Sequence, residues 1–148
     1  MKIIFSIFLV LFSSKQCGSN KTSSELQQKE ITIIYQAVSR GFFEEIKVKN
    51  DTLTYCNDPN RVEFKTIIYD KQLWEDCIQL LSKVDIDALP KIESPTSYRN
   101  VDGAAHATLT VIQGKDKTES STFDHGHPPP SIKALVEKLI SIKKTATK

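Results

Sequence analysis

Between Ile31 and Val38 the chain alternates. Ile31, Ile33, Tyr35 and Ala37 fall on one side, and Thr32, Ile34, Gln36 and Val38 on the other. A period of two among β-favouring residues predicts a strand. Arg40-Gly41 punctuates it, and Phe42, Ile46 and Val48 then share the face of a second strand. Asn50-Asp51 marks a turn, and Leu53 and Tyr55 lie on one side of a third strand. Cys56-Asn57-Asp58-Pro59-Asn60 is dense in turn chemistry. Val62, Phe64 and Ile68 mark a fourth strand. The connections are too short for crossover helices, so the four strands read as an antiparallel meander.

The period then changes. Leu73, Trp74, Cys77, Ile78, Leu81 and Val84 recur at helical spacing, with Asp70 placed to cap the helix and Leu89-Pro90 to end the segment. Trp74 falls on the apolar face and reads as core. Residues 91–102 form a polar loop. Ala105, Ala107, Leu109 and Val111 alternate with His106, Thr108 and Thr110, and Gly114-Lys115-Asp116 turns the chain into a partner strand running to Phe123. Three prolines, Pro128 to Pro130, break that strand, and Ser131 is placed to cap a last helix with the stripe Ile132, Leu135, Val136, Leu139 and Ile140. The fold class expected is α+β: an antiparallel sheet of about six strands in the order ββββ-α-ββ-α, with two amphipathic helices packed on one face. No internal repeat suggests a solenoid.

The amino terminus has a different character. Met1-Lys2 precedes an apolar run from Ile3 to Phe12, and Ser13-Ser14-Lys15-Gln16-Cys17-Gly18-Ser19 follows. A short positive end, an apolar core and a small-residue exit form an export signal. The run is well short of the ~20 apolar residues that span a bilayer. Cys17 stands where a bacterial lipoprotein carries its acylated cysteine, although Ser14, Lys15 and Gln16 depart from the usual leucine and small residues before it. Lipidation at Cys17 and soluble secretion after cleavage between Ser14 and Ser19 are the two outcomes open. The expected organisation is a signal peptide over 1–16, a polar tether over 17–29, one domain over 30–142 and a basic tail over 143–148.

Charge and cysteine content narrow the function classes. The chain holds 20 Lys+Arg and 18 Asp+Glu. Lys2 and Lys15 precede Cys17 and no acid does, so the remainder holds 18 of each and is neutral. There is no basic stripe, which argues against nucleic acid as a partner. With Cys17 set aside, Cys56 and Cys77 remain as a candidate disulfide in an oxidising compartment. Such a bridge would contribute roughly 3 kcal/mol. The alternative is that both are small buried residues.

Three segments together resemble an uncharacterised family of small exported bacterial proteins: Tyr35-Gln36-Ala37-Val38-Ser39-Arg40-Gly41-Phe42-Phe43, Asp102-Gly103-Ala104-Ala105, and Ser120-Ser121-Thr122-Phe123-Asp124-His125-Gly126-His127-Pro128-Pro129. The resemblance covers about Ile31 to Ile142, and several members of that family carry a lipoprotein-type signal. It implies export and a sheet-and-helix fold, and brings no activity, cofactor or catalytic residue.

All three histidines lie in two segments, Tyr98 to His106 and Phe123 to His127. Imidazoles and carboxylates are ligands for zinc and similar divalent ions when three or four converge. With the hairpin turn near Lys115, His106 lies nine residues before it and Asp124 nine after, so the two oppose each other. Asp102, His106, Asp124, His125 and His127 are therefore the candidate ligand or metal cluster. Adjacent strand residues point to opposite faces, however, so Asp124 and His125 would not both reach His106. A hydrogen-bonded structural cluster is the competing reading, and Arg40-Gly41 reads as a hairpin turn before an anion site. The chain has no phosphate loop, Cys-x-x-Cys pair or Gly-x-Ser-x-Gly elbow. The expectation is a small exported envelope protein, a non-catalytic binding or accessory module without a cofactor, meeting another envelope protein or a small ligand, and touching membrane only through a lipid on Cys17. The alternative is a metal-binding protein or metal-dependent hydrolase built on the His/Asp cluster.

Overall fold

A computed structural model describes residues 30–146. The export-signal run, Cys17 and the polar tether lie outside the described residues. The chain forms β1 (Ile31–Ser39), β2 (Phe42–Lys49), β3 (Thr52–Cys56), β4 (Lys65–Ile68), α1 (Lys71–Leu81), β5 (His106–Gln113), β6 (Asp116–Glu119), β7 (Phe123–Asp124) and α2 (Lys133–Ala146), with 3-10 turns at Leu89–Lys91 and Tyr98–Val101. The fold is α+β. The strands make one antiparallel sheet in the order β4-β3-β2-β1-β5-β6, with β7 also pairing β5.

Strand alternation sorts the sheet into two faces. Across β1, Ile33 opposes Val48 and Val111, and Tyr35 opposes Ile46 and Leu109. These six are buried, and the inner face they form receives Cys77, Ile78 and Leu81 of α1 and Leu135, Val136 and Leu139 of α2. Each fully buried large aliphatic side chain contributes about 1.5–3 kcal/mol. The outer face carries the other parity: Ile34 with Lys47 and Thr110, and Gln36 with Glu45 and Thr108. The hairpin turns fall at Gly41 (φ 75°) and Gly114 (φ 65°), where the left-handed backbone favours glycine.

Several expectations change. Val62 and Phe64 precede β4 in an exposed loop, because Asp58 accepts the backbone N–H groups of Asn60, Val62 and Glu63 and holds that segment as a turn. The partner strand of β5 is split: β6 pairs Thr110 with Glu119, β7 pairs Ala107 with Phe123, and one extra residue between them shifts the register. Ser120 marks the break, its N–H donating to the Leu109 carbonyl and its hydroxyl accepting from the Leu109 N–H. α2 runs on to Ala146, through the first residues of the expected basic tail. Trp74 is only half-buried at the edge of the core.

Cys56 and Cys77 are free and buried. Cys56 pairs with Glu45 on the outer face of the sheet, whereas Cys77 is in the core beneath the inner face. The sheet stands between the two thiols, and no bridge joins them. Burial pushes the Cys77 thiol up to about 12.

Candidate functional site

The sheet register brings His106 directly opposite Asp124. Their side chains nevertheless have separate surroundings. Asp124 is fully buried. One carboxylate oxygen accepts from Thr96 Oγ1 at 2.6 Å and the Tyr98 N–H at 2.7 Å. The other accepts from the Arg99 N–H at 3.1 Å and Arg99 Nη1 at 2.9 Å. A carboxylate offers about four acceptor positions, and all four are taken. Burial alone would raise the carboxyl's pKa, but bonds from Thr96, Arg99 and Tyr98 outweigh it and hold the group well below the usual carboxylate range. Asp124 therefore remains an anion that pins the 94–101 loop onto β7, with no oxygen free for a metal or a substrate proton.

His125 points to the other face, as strand alternation requires. Its Nδ1 lies 2.7 Å from the Tyr35 hydroxyl and 3.9 Å from Glu44 Oε2. Glu44 is buried on the inner face, and Lys143 of α2 reaches it at 2.6 Å. Lys143 Nζ also donates to Asn57 Oδ1 at 2.8 Å. Burial, followed by the Glu44 charge, raises the Tyr35 pKa well above its ordinary value, so the phenol keeps its proton. The set ties the carboxyl end of α2 to β1, β2 and the turn after Asp124. His127 is exposed, its ring edge set against Tyr98 at 5.4 Å.

The five sequence candidates are thus divided among four places, His127 standing against Tyr98. Asp124 lies in the loop-pinning knot, and His125 in the Tyr35–Glu44–Lys143 set. Asp102 and His106 come together with Ser39, Arg40 and Ala104 around a cavity of about 290 Å³. Asp102, His106 and Arg40 are exposed there. Among the described residues, no three His, Cys, Asp or Glu side chains are grouped to hold a metal ion. Sequence reasoning missed Thr96, Arg99, Glu44 and Lys143. A buried aspartate needs a cation, and Arg99 is the one arginine of the 91–102 loop, but nothing in the sequence sets that loop against β7.

Among the described residues neither helix packs on the outer face of the sheet, although Thr32, Phe43, Cys56 and Thr110 on that face are buried. Both helices pack on the inner side. Among the described residues the outer face presents half-buried Ile34, Gln36, Val38, Thr108 and Ile112 from the two central strands. Thr54, Lys47 and Glu45 continue it across β3 and β2. Toward β3 it ends where Arg61 lies over the Phe43 ring, 4.7 Å from the centroid. No helix of the described residues is long and apolar enough to cross a membrane. Compared with known proteins, the sequence matches no family model, and no curated protein is similar to it.

Proposed function

We propose that this chain is a small exported envelope protein, anchored by a lipid on Cys17, that acts as a non-catalytic binding module through the outer face of its sheet. The signal-like run before Cys17 supports export. Acyl chains there would hold the domain at a membrane surface, each buried methylene contributing about 0.8 kcal/mol. The observation that carries the docking role is the sheet face opposite the two helices, where Ile34, Val38 and Ile112 stand half-buried among threonines and the Lys117–Glu119 ion pair. An apolar centre within a polar surround is the usual composition of a non-obligate interface. The buried titratable groups favour the same reading, since Asp124 and Glu44 are both occupied with internal bonds.

Photocrosslinking in the cell of origin tests this. A crosslinking side chain is placed singly at Thr54, Gln36 or Thr108 on the outer face, and at Gln79 on the exposed side of α1 as the control. One adduct shared by the three outer-face positions and absent from Gln79 is expected. Adducts from Gln79 alone, or from none of the four, would show that the sheet face is not the docking surface. The intact mass of the exported chain reports the lipid on Cys17 independently.

A further inference from the structure

A second surface lies apart from the outer face and does not rest on its proposed role. A cleft of about 500 Å³ opens between the β2–β3 turn and the first turns of α1, lined by Asn50, Asp51, Lys71, Trp74 and Glu75. That volume is within the ~300–1,000 Å³ typical of small-ligand sites. Its two walls are tied together. The Tyr69 N–H donates to the Asp51 carbonyl at 2.9 Å, and the Tyr69 hydroxyl donates to the Asn50 carbonyl at 2.9 Å. Asp70 caps α1, accepting from the Gln72 N–H at 2.8 Å. The turn and the helix start are therefore held in one geometry before any ligand arrives, and preorganisation of this kind lowers the ordering cost of binding.

The polar groups of the cleft are under-used by the protein. The Asn50 side-chain amide and the Trp74 indole N–H have no protein partner among the described residues, and neither is sealed from solvent. Asp51 accepts only a long 3.2 Å bond from Thr52 Oγ1. Lys71 and Glu75 form an exposed pair at 3.3 Å, so their charges largely cancel. The lining thus combines an aromatic side chain that carries an N–H donor with an amide and a carboxylate.

We infer that this cleft binds a neutral hexopyranose, with the apolar face of the ring against Trp74 and its hydroxyls paired with Asn50 and Asp51. A pyranose has one face of C–H groups and a rim of hydroxyls, which matches an aromatic platform bordered by groups that both donate and accept. A cationic ligand is the rival for an aromatic beside carboxylates. Lys71 and Glu75 offset each other, but a quaternary cation would offer no acceptor to the Asn50 amide and the indole N–H, whereas sugar hydroxyls do.

Trp74 is the one tryptophan of the chain, so indole emission reports on this cleft alone. The full exported chain is titrated with glucose, galactose, mannose and N-acetylglucosamine, each also as its β1,4-linked disaccharide, and with tetramethylammonium as the cation probe. A saturable change in emission is expected with at least one saccharide, at a Kd of about 1 mM or tighter. Asp51→Ala and Asn50→Gly should each weaken it roughly tenfold. Glycine is used at Asn50 because that residue holds φ 53°. Both changes leave the Tyr69 bonds to backbone carbonyls in place, so folding is preserved. No saturable change with any saccharide, a response to tetramethylammonium alone, or an unchanged response in both variants would overturn the assignment. The photocrosslinking result is unaffected by each of these outcomes.

Discussion

Asp124→Asn isolates the role of the buried carboxylate. The asparagine keeps one acceptor oxygen but turns an NH₂ toward groups that are themselves donors: Thr96 Oγ1, the Tyr98 and Arg99 N–H groups and the Arg99 guanidinium. It also leaves the Arg99 charge, whose side chain is 19% exposed, without its counter-ion. Removing one partner of a buried pair costs about 3–5 kcal/mol. Total stabilities of single domains are only about 5–15 kcal/mol, so the variant should fold but marginally. At roughly 4 °C per kcal/mol for a domain of this size, Tm should fall by roughly 12–20 °C. Urea unfolding should show a lower midpoint with an unchanged slope. The pH dependence gives a second reading. The folded pKa of Asp124 is depressed, so its contribution is complete above the unfolded value of about 3.9 and is lost as pH falls from there toward the folded value. The gap between wild type and variant should be widest near neutrality and narrow below about pH 4. A loss under ~1 kcal/mol, or a gap that stays constant from pH 7 to pH 3, would refute the claim that the ionised carboxylate holds the loop.

Two further outcomes are expected. Cys56 and Cys77 should resist a thiol reagent at pH 8 in the native state and react fully in urea, since both are buried and the Cys77 thiol is pushed up to about 12. Fast native labelling, or an intact mass two hydrogens light, would contradict the placement of the thiols on opposite sides of the sheet. Glu44→Gln and Lys143→Met should each cost about 2–3 kcal/mol in urea unfolding, and the double variant less than their sum, giving a coupling of about 1–3 kcal/mol. Strict additivity would mean that the pair does not join α2 to β2.

The elements were legible because their periods were. Period two over 31–38 and 105–111 and helical spacing over 73–84 each arise from burial on one side, and the inner face collects those residues. The Asp70 cap was readable from one carboxylate before an apolar helix. Counting from Lys115 also placed His106 opposite Asp124, although the hairpin pairs Gln113 with Asp116 and by itself would set Phe123 there; the extra residue at Ser120 makes up the difference. What could not be counted was the extra residue at Ser120, since Glu119, Ser120 and Ser121 are equally compatible with a strand and with a break.

The side-chain sets resisted reading for a different reason. Strand spacing states which face a residue takes, but not which distant loop comes to meet it. Thr96 and Arg99 reach Asp124 across 28 and 25 residues, and Lys143 reaches Glu44 across 99. Local pattern carries no signal at those separations. Asp124 looked like a ligand because a carboxylate beside histidines is a ligand chemistry; the 94–101 loop makes it a structural anion by filling every acceptor position. Trp74 shows the converse. Its helical position assigned it to the core, and its ring does pack there, yet the β2–β3 turn held by Tyr69 converts the edge of that core into the wall of a cleft. In both cases an irregular segment, not a strand or helix, decides whether a reactive or aromatic side chain is closed off or presented. A search for function in this fold therefore belongs at its turns and on the sheet face that neither helix covers.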